Sequence, residues 1–355
     1  MSPAKASARG QPAEAASVGR DITLSSRVRL ARNLHGIPFP DRATPAVRAE
    51  VRKQVMDAAR TELPLQEALA DSTPLFRQQL FEDHLISRNL LEGRPESGVC
   101  MNAEHTRAVM INEEDHLRIQ ALRPGLALRE AWADADALDD ALEQKLDYAY
   151  SSSLGYLTSC PSNVGTGMRA STLMHLPGLV LMNEMEPIIN GLNKIGLTVR
   201  GRWGEGTAAL GHMFQISNQL TLGMSEERIV SDLEEIAKEI AGHEQNARAR
   251  LKQERALFAE DLVARAEGIL GAARLMTAQE ALERLSELRL GIALGLTKGI
   301  DLAAIDRLLL EVQPAHLQVA AGRTMSGEER DLERAVRLRN ELGRRPAKRT
   351  TKRTI

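Results

Sequence analysis

Three carboxylates in a row, Glu113-Glu114-Asp115, sit between Asn112 and His116, and Arg118 follows two residues later. Adjacent carboxylates repel one another unless cations or hydrogen-bond donors hold them. Directly upstream, Ala108-Val109-Met110-Ile111 reads as a buried strand. An acidic cluster at a strand end can grip a guanidinium, hold a metal ion, or simply cap the strand on a solvated turn, the usual place of a charge run. A second stretch, Leu24-Ser25-Ser26-Arg27-Val28-Arg29-Leu30-Ala31-Arg32-Asn33, alternates Arg27 and Arg29 with apolar residues. On a strand the two arginines point to one face. Two guanidinium forks side by side suit a polyphosphate; the plain alternative is a solvated strand face.

A third stretch runs Cys160-Pro161-Ser162-Asn163-Val164-Gly165-Thr166-Gly167-Met168-Arg169-Ala170-Ser171. Gly165 and Gly167 allow close backbone approach to a ligand. A short helix is expected from Ala170 to Leu176, ended by Pro177, with Arg169 at its start and its free N–H groups forming an anion site. Cys160 is either a buried core thiol or, beside hydroxyls and cations, a thiolate. The P-loop pattern Gly-x-x-x-x-Gly-Lys-Ser/Thr occurs nowhere in the chain. A fourth stretch, Val199-Arg200-Gly201-Arg202-Trp203-Gly204-Glu205-Gly206, is a loop that closes over a site or an ordinary surface turn. Together the pieces suggest one chemistry. Arg27, Arg29, Arg118, Arg169 and Arg200 can neutralise a nucleoside triphosphate without a P-loop lysine. Glu114 and Glu205 can hold a guanidinium in bidentate fashion. With a pKa above ~12 a guanidinium is a poor nucleophile, so a carboxylate must take its proton as it attacks phosphorus. The rate then comes from alignment and from charge compensation at the transferring group.

These residues need a scaffold. Ala46 to Arg60 reads as a helix, Arg107 to Asn112 and Leu117 to Leu122 as strands, and Ala127 to Tyr150 has helical spacing. Leu197 to Arg200 and Phe214 to Thr221 read as strands, and Ser225 caps a long helix with Glu226 and Glu227 in its first turn. Thr277 precedes Glu280, and Ser326 precedes Glu329, by the three residues of a capping box; Asp301 is another N-cap. A small helical bundle therefore spans about Ala256 to Leu342. The 355 residues suit one large and one smaller domain. Aromatics make up only 3% of the chain, so its core must come from Leu, Ile, Val, Ala and Met. The net charge of −2 excludes a chain-wide nucleic-acid surface. Cys100 and Cys160 are the only cysteines, which excludes a disulfide framework and fits a reducing compartment. No apolar run approaches the ~18 residues of a membrane helix. Residues 1–20 lack a secretory h-region and read as a loose tail, so a cytoplasmic location is expected. The basic tail, residues 343–355, reads as disordered and solvated, the alternative being contact with nucleic acid or an acidic partner.

Several segments resemble the ATP:guanido phosphotransferases, the family of creatine and arginine kinases, and within it the bacterial branch acting on arginine in proteins. They are Ser25 to Asn33, Asn112 to Gln120, Tyr156 to Gly167, and Phe214-Gln215-Ile216-Ser217-Asn218-Gln219. The likeness runs from about Asp21 to Arg339. It implies an α+β fold: a catalytic domain over 21–255, an antiparallel sheet flanked by helices with ATP lying along the sheet, then a helical C-terminal domain over 256–342. It makes Arg27, Arg29, Arg118, Arg169 and Arg200 phosphate-binding. The same nucleotide site takes in Ser25, Ser26, Val28, Ala170, Ser171, Thr172, Leu173, Gly201, Arg202, Trp203, Gly204 and Glu205. His84 matches a nucleotide-contacting histidine, though a core or surface histidine is the alternative. Glu114 matches the base that grips the guanidinium, Glu205 its partner, and Cys160 the thiol that orients it. Magnesium is expected to be held by ATP and water rather than by a protein metal site.

Two features set this chain apart from the small-molecule kinases. Arg27 lies too near the start for their helical N-terminal domain, which suits an arginine displayed on a protein. Arg330-Asp331-Leu332-Glu333-Arg334-Ala335 resembles that branch's allosteric phosphoarginine motif, Arg330 and Arg334 stacking one turn apart; a charged helix face is the alternative. One departure stands out: after Glu205 the family continues Gly, Ser, Glu, Ala, and here it is Gly206-Thr207-Ala208-Ala209. The expected activity is ATP-dependent phosphorylation of protein arginine, marking clients for a Clp-type unfoldase. A free-guanidine kinase and a non-catalytic phosphoarginine-binding module are the alternatives. Expected partners are proteins with exposed arginines, an activator, and further copies of the chain through apolar bundle faces that include Leu308 and Leu309.

Overall fold

The alternation Arg27-Val28-Arg29-Leu30 builds the central strand of a single large sheet. The computed structural model describes residue 19, residues 21–201 and residues 209–343. In chain order the elements are β1 (Thr23–Arg32), α1 (Pro45–Ala59), β2 (Leu65–Ala68), α2 (Pro74–Glu82), α3 (Arg88–Leu91), β3 (Gly98–Met101), β4 (Arg107–Ile111), β5 (Leu117–Pro124) and α4 (Leu128–Glu143). A small hairpin, β6 (Tyr150–Ser151) and β7 (Gly155–Tyr156), precedes β8 (Met168–His175), α5 (Pro177–Leu181), α6 (Met185–Lys194), β9 (Leu197–Gly201) and β10 (Met213–Asn218). The rest is helical: α7 (Glu226–Glu254), α8 (Ala256–Ala272), α9 (Ala278–Ala293), α10 (Leu302–Glu311), α11 (Pro314–Ala321) and α12 (Gly327–Gly343).

The eight-stranded sheet has the order β2-β3-β4-β5-β1-β8-β10-β9, with every neighbouring pair antiparallel. Side chains alternate across it. Val28 and Leu30 of β1, Ile119 and Ala121 of β5, and Met168 and Ala170 of β8 point to one face. There they meet Val51 and Val55 of α1, Ala131, Ala135 and Leu138 of α4, and Val230 and Leu233 of α7. Ser225 caps α7 as expected, its hydroxyl accepting from the Arg228 N–H. The opposite face carries the arginines. On one side it is walled by α2 and α3, whose Leu80 and Leu90 pack on Met110 and Met101. At the far end sits the C-terminal bundle, whose core of Met276, Leu285, Leu288, Ile305 and Leu338 is touched by Leu24 and Leu173 of the sheet.

The helix expected from Ala170 to Leu176 is instead strand β8, and Pro177 opens α5 rather than ending a helix. Apolar side chains at 168, 170 and 174 follow period two, and β8 lies between β1 and β10, where only an extended chain satisfies both ladders. The helical spacing after Ala127 holds only to Glu143. Leu308 and Leu309 are interior to the bundle at 0% and 1% exposure, so they present no face to another copy. Ser326 and Glu329 form the full capping box, bonding reciprocally, whereas Thr277 serves as a simple N-cap that accepts from the Glu280 N–H. Among the described residues no helix is long and apolar enough to cross a membrane.

Two polar joints fasten the bundle to the sheet. At the end of β8, buried His175 accepts at Nδ1 from Arg289 (3.1 Å) and meets the Ser286 hydroxyl at Nε2 (2.8 Å). At the end of α2, the buried Glu82 carboxylate accepts from the Ala315 and His316 N–H groups at the start of α11. The His316 ring lies between Glu82 (2.9 Å) and Asp83 (3.2 Å).

Candidate active site

The turn from β4 to β5 treats its three acids differently. Asn112 takes a left-handed backbone (φ 54°), and its side-chain amide donates to the carbonyls of Arg48 and Glu96, fixing the turn to α1 and the chain before β3. Asp115 is fully buried and accepts from the Asn33 amide (2.6 Å) and the Ser159 N–H (2.7 Å). His116 accepts from the Leu34 N–H at Nδ1, so Nε2 holds the proton and donates to the Pro38 carbonyl. Burial lowers its pKa and keeps it neutral. Glu113 pairs with Arg118 at 2.6 Å and is nearly covered. Glu114 pairs with the same guanidinium at 3.2 Å but leaves 36% of its side chain exposed. Burial raises the Glu114 pKa against the pull of Arg118, and the negative charges of Asp115 and Glu113 add to the rise. Of the three acids, Glu114 is the one placed to meet a ligand.

Cys160 is brought to this turn by its neighbour. Ser159 donates its hydroxyl to the Glu114 carbonyl (2.8 Å) and its N–H to Asp115. The Cys160 thiol is partly exposed and lies 3.0 Å from the Ser162 hydroxyl. Gly165 and Gly167 serve this loop rather than a ligand. A Cβ on Gly165 would lie 2.7 Å from the Thr221 carbonyl, and one on Gly167 would lie 2.6 Å from the Ala31 carbonyl.

All five arginines share one sheet face. Arg29 stands opposite both Gln120 and Arg169 in the ladders, Arg27 opposite Ser171, and Arg200 opposite Gln215. Arg118 lies two positions before Gln120 and so faces the same way. Arg27 donates to the Gln215 side-chain Oε1 (3.0 Å), and Arg29 keeps a buried Nε without a hydrogen-bond partner. Among the described residues Arg118 alone of the five is ion-paired. The crowding has an electrostatic signature. Burial, then the charge of Arg118, lowers the Arg27 pKa to about 10. Burial, then Arg27, Arg118 and Arg169, pulls Arg29 well below its ordinary value. Burial, Arg200 and Arg118 lower Arg169, while Cys160 and Glu114 oppose the shift. The face is positive, under-neutralised and suited to a polyanion. Beside it lies a cavity of about 70 Å³ lined by Ser25, Arg27, His84, Leu122, Ser171, Leu173 and Gln215. His84 reaches it from a left-handed backbone position (φ 61°) just after α2.

The sequence profile described as "ATP:guanido phosphotransferase, C-terminal catalytic domain" matches residues 46–247. The chain belongs to this family. A second profile, "Protein-arginine kinase McsB C-terminal domain", matches residues 256–353. The chain is similar to proteins named "Protein-arginine kinase". One from Moorella thermoacetica is 45% identical, with 91% of this chain and 94% of the relative covered. One from Symbiobacterium thermophilum is 47% identical over 91% and 93%. Among solved structures, a lombricine kinase aligns with a TM-score of 0.57 at 28% identity, covering 65% of this chain and 68% of the other. A duplicated taurocyamine kinase from Schistosoma mansoni shares the fold at TM-score 0.58 and 24% identity, over 74% of this chain and 38% of the other.

As a guanido phosphotransferase the chain places its expected site residues unevenly. Ser25, Arg27, Arg29, Arg118, Arg169, Ser171, Leu173 and Arg200 lie on the arginine face, where His84 joins them. Ser26, Val28, Ala170 and Thr172 turn their side chains to the opposite face; Val28 and Ala170 are core, and Ser26 donates to the Gly125 carbonyl (2.8 Å). Period two makes this unavoidable for alternate residues of one strand. Gly201 ends the edge strand β9. Arg202, Trp203, Gly204 and Glu205, like Gly206, Thr207 and Ala208, lie outside the described residues. In α12, Arg330 and Asp331 are partly exposed, but Arg334 is 1% exposed. Its guanidinium donates to the carbonyls of Val312 (2.8 Å) and Met276 (2.7 Å) and to Asp331 (2.7 Å). In this ligand-free arrangement Arg334 is turned inward while Arg330 stays partly exposed, and Ala335 is buried beside Arg334. Ser159, Gln120 and Gln215 touch Glu114, His84 and Arg27, and Asn33 holds Asp115 beside Glu114; Asn33, at the end of the arginine-rich strand, is the one with a signal in the sequence.

Proposed function

We propose that this chain transfers the γ-phosphoryl group of ATP to arginine side chains of proteins. The observation that carries this reading is the sheet face itself: five arginines, four without a carboxylate partner among the described residues, beside the partly exposed Glu114 and Cys160. On this reading the arginines align the triphosphate along the sheet, and the His84 cavity receives part of the nucleoside. Glu114 grips the incoming guanidinium and takes its proton as nitrogen attacks phosphorus; burial raises its basicity for that task. Cys160 orients the guanidinium from the other side, and Glu205 completes the grip. Magnesium, when bound, compensates phosphate charge. On this proposal the phosphates and water hold the ion, rather than a protein metal site.

The similarity to protein-arginine kinases supports proteins with exposed arginines as substrates. As the sequence resemblance implies, we further propose a cytoplasmic setting, an activator, self-association and a Clp-type unfoldase that reads the mark. We place the catalytic unit at 21–255 and the helical unit at 256–342. The test is incubation of the purified chain with Mg-ATP and an arginine-bearing protein, scoring acid-labile phosphate. Transfer that disappears in Glu114→Gln is expected. No transfer by the parent chain, or free arginine turned over as fast as protein, overturns the reading. Phosphoarginine binding with no transfer would make the chain a reader of the mark instead.

A further inference from the structure

Glu114 and Cys160 belong to different segments, yet a guanidinium held between them demands a fixed spacing. The strand that ends at Arg32 supplies it. Arg32 points away from the other β1 arginines, into the helix-covered side, and is 1% exposed. Its Nε and Nη2 donate to Asp139 (2.9 and 2.5 Å), which anchors the guanidinium to α4. Its Nη1 donates to the Thr166 carbonyl (2.9 Å), and its Cζ lies 3.5 Å from the centroid of the Tyr156 ring. Tyr156 and Gly165 exchange backbone hydrogen bonds, so these two contacts grip both feet of the loop that carries Cys160.

Asn33, the next residue, grips the other partner. Its amide nitrogen donates to Asp115 (2.6 Å) and to the Leu157 carbonyl (3.1 Å), and its oxygen accepts from the His116 N–H (2.9 Å). One buried side chain thus ties the acidic turn to the thiol loop. Packing contributes at one foot, where the Tyr156 ring meets the Tyr148 ring edge-on with centroids 6.2 Å apart. Behind the feet of the loop lies a cleft of about 330 Å³, lined by Tyr150, Leu154, Tyr156, Thr166, Leu222 and Glu226 among others. Thr221 Oγ1, 2.9 and 2.7 Å from the carbonyl oxygens of Ser162 and Val164, is a further tie on the loop.

We propose that Arg32 and Asn33 are positioning residues that set the spacing between Glu114 and Cys160 for the arriving guanidinium. The proposal rests on the protein-arginine kinase reading and names the device that aligns that site. Both side chains are buried, at 1% exposure each, so the two are expected to act on transfer and not on nucleotide binding. The experiment uses full-length Arg32→Lys, Asn33→Ala and Thr221→Val. Each is assayed for transfer to an arginine-bearing protein, for nucleotide affinity, and for the rate at which iodoacetamide alkylates Cys160, Cys100 being fully buried. Arg32→Lys and Asn33→Ala are expected to lower kcat about 10- to 100-fold, leave the nucleotide Kd within about twofold, and shift the alkylation rate by about threefold or more. Thr221→Val, an isosteric change, moves kcat and thiol rate in the same direction by less, and it decides the matter if the other two variants do not fold. Unchanged kcat and thiol rate, or an equal loss of nucleotide affinity, overturns the proposal. If the parent chain transfers nothing, the functional reading falls by itself, and the thiol rates still decide whether Arg32 and Asn33 set the loop.

Discussion

Arg29 and Arg169 stand directly opposite one another on adjacent strands, two guanidiniums in one ladder position with no carboxylate paired to either among the described residues. Like charges so placed weaken a sheet by about 0.2–1 kcal/mol. Removing one of these charges is therefore expected to relieve repulsion in the ligand-free protein. Arg29→Met and Arg169→Met are expected to raise or preserve the thermal midpoint of the ligand-free protein while weakening nucleotide binding at least about tenfold, since each charge-assisted contact contributes ~1.5–3 kcal/mol. Thermal unfolding with and without nucleotide checks both halves.

The pH dependence of transfer follows from Glu114. Only its ionised form can accept a proton, and burial raises its pKa. As pH falls through that raised value the base is lost, so the acidic limb of the kcat/KM profile, which reports the free enzyme, is displaced upward from the ordinary glutamate value. Glu114→Gln removes that limb and about 10²- to 10⁴-fold of the rate. A limb at the ordinary value, or one that survives in the variant, counts against Glu114 as the base.

His316 makes stability pH-dependent at the joint between α2 and α11. Burial disfavours its charge, but hydrogen bonds to Asp83 and Glu82 outweigh burial and lift its pKa to about 9. A folded-state pKa above the unfolded value contributes stability that is complete below about 6.5 and lost as pH rises through about 9. Urea unfolding is expected to show a loss of about 3 kcal/mol between those limits, and His316→Asn should flatten it. An equal slope in the variant assigns the dependence to another group.

Arg334→Ala is expected to destabilise the chain by about 3–5 kcal/mol, because it strips donors from two buried carbonyls and the partner from Asp331. Arg330→Ala, whose side chain donates only to the Met325 carbonyl among the described contacts, should cost far less. Denaturant titration of the two variants separates them. Similar losses would contradict the inward role of Arg334.

Nucleotide should protect the fold by mass action. Magnesium-nucleotide at a hundred times its Kd adds about 2.7 kcal/mol, and Arg27→Ala abolishes most of that gain. Chelating magnesium is expected to stop transfer while leaving the ligand-free thermal midpoint in place.

The arginine face was largely legible in advance, because period two in β1 fixes where Arg27 and Arg29 point regardless of their surroundings. Strand β8 was not. Met168 to His175 holds Ala, Ser and Met between a glycine and a proline, local features that also suit a short helix; its position between two strands settled the matter. Arg330 and Arg334 show the limit of spacing arguments. Four residues apart they share a helix face, yet Arg334 is drawn inward by the Val312 and Met276 carbonyls, which are distant in sequence. Asn33 was hidden for the same reason: its partners Asp115 and Leu157 lie 82 and 124 residues away.

Glu82, Asp83 and His84 are consecutive, yet the first two hold α11 and the third lines the cavity beside Arg27. The consequence is one of modularity. A cut after Arg255 looks natural on the linear chain, but it would strip the Glu82 carboxylate of its α11 donors and the His175 ring of Arg289 and Ser286, and uncover Leu173. The two halves are therefore not expected to behave as interchangeable parts, and recombination between relatives that separates them is expected to cost stability at both joints.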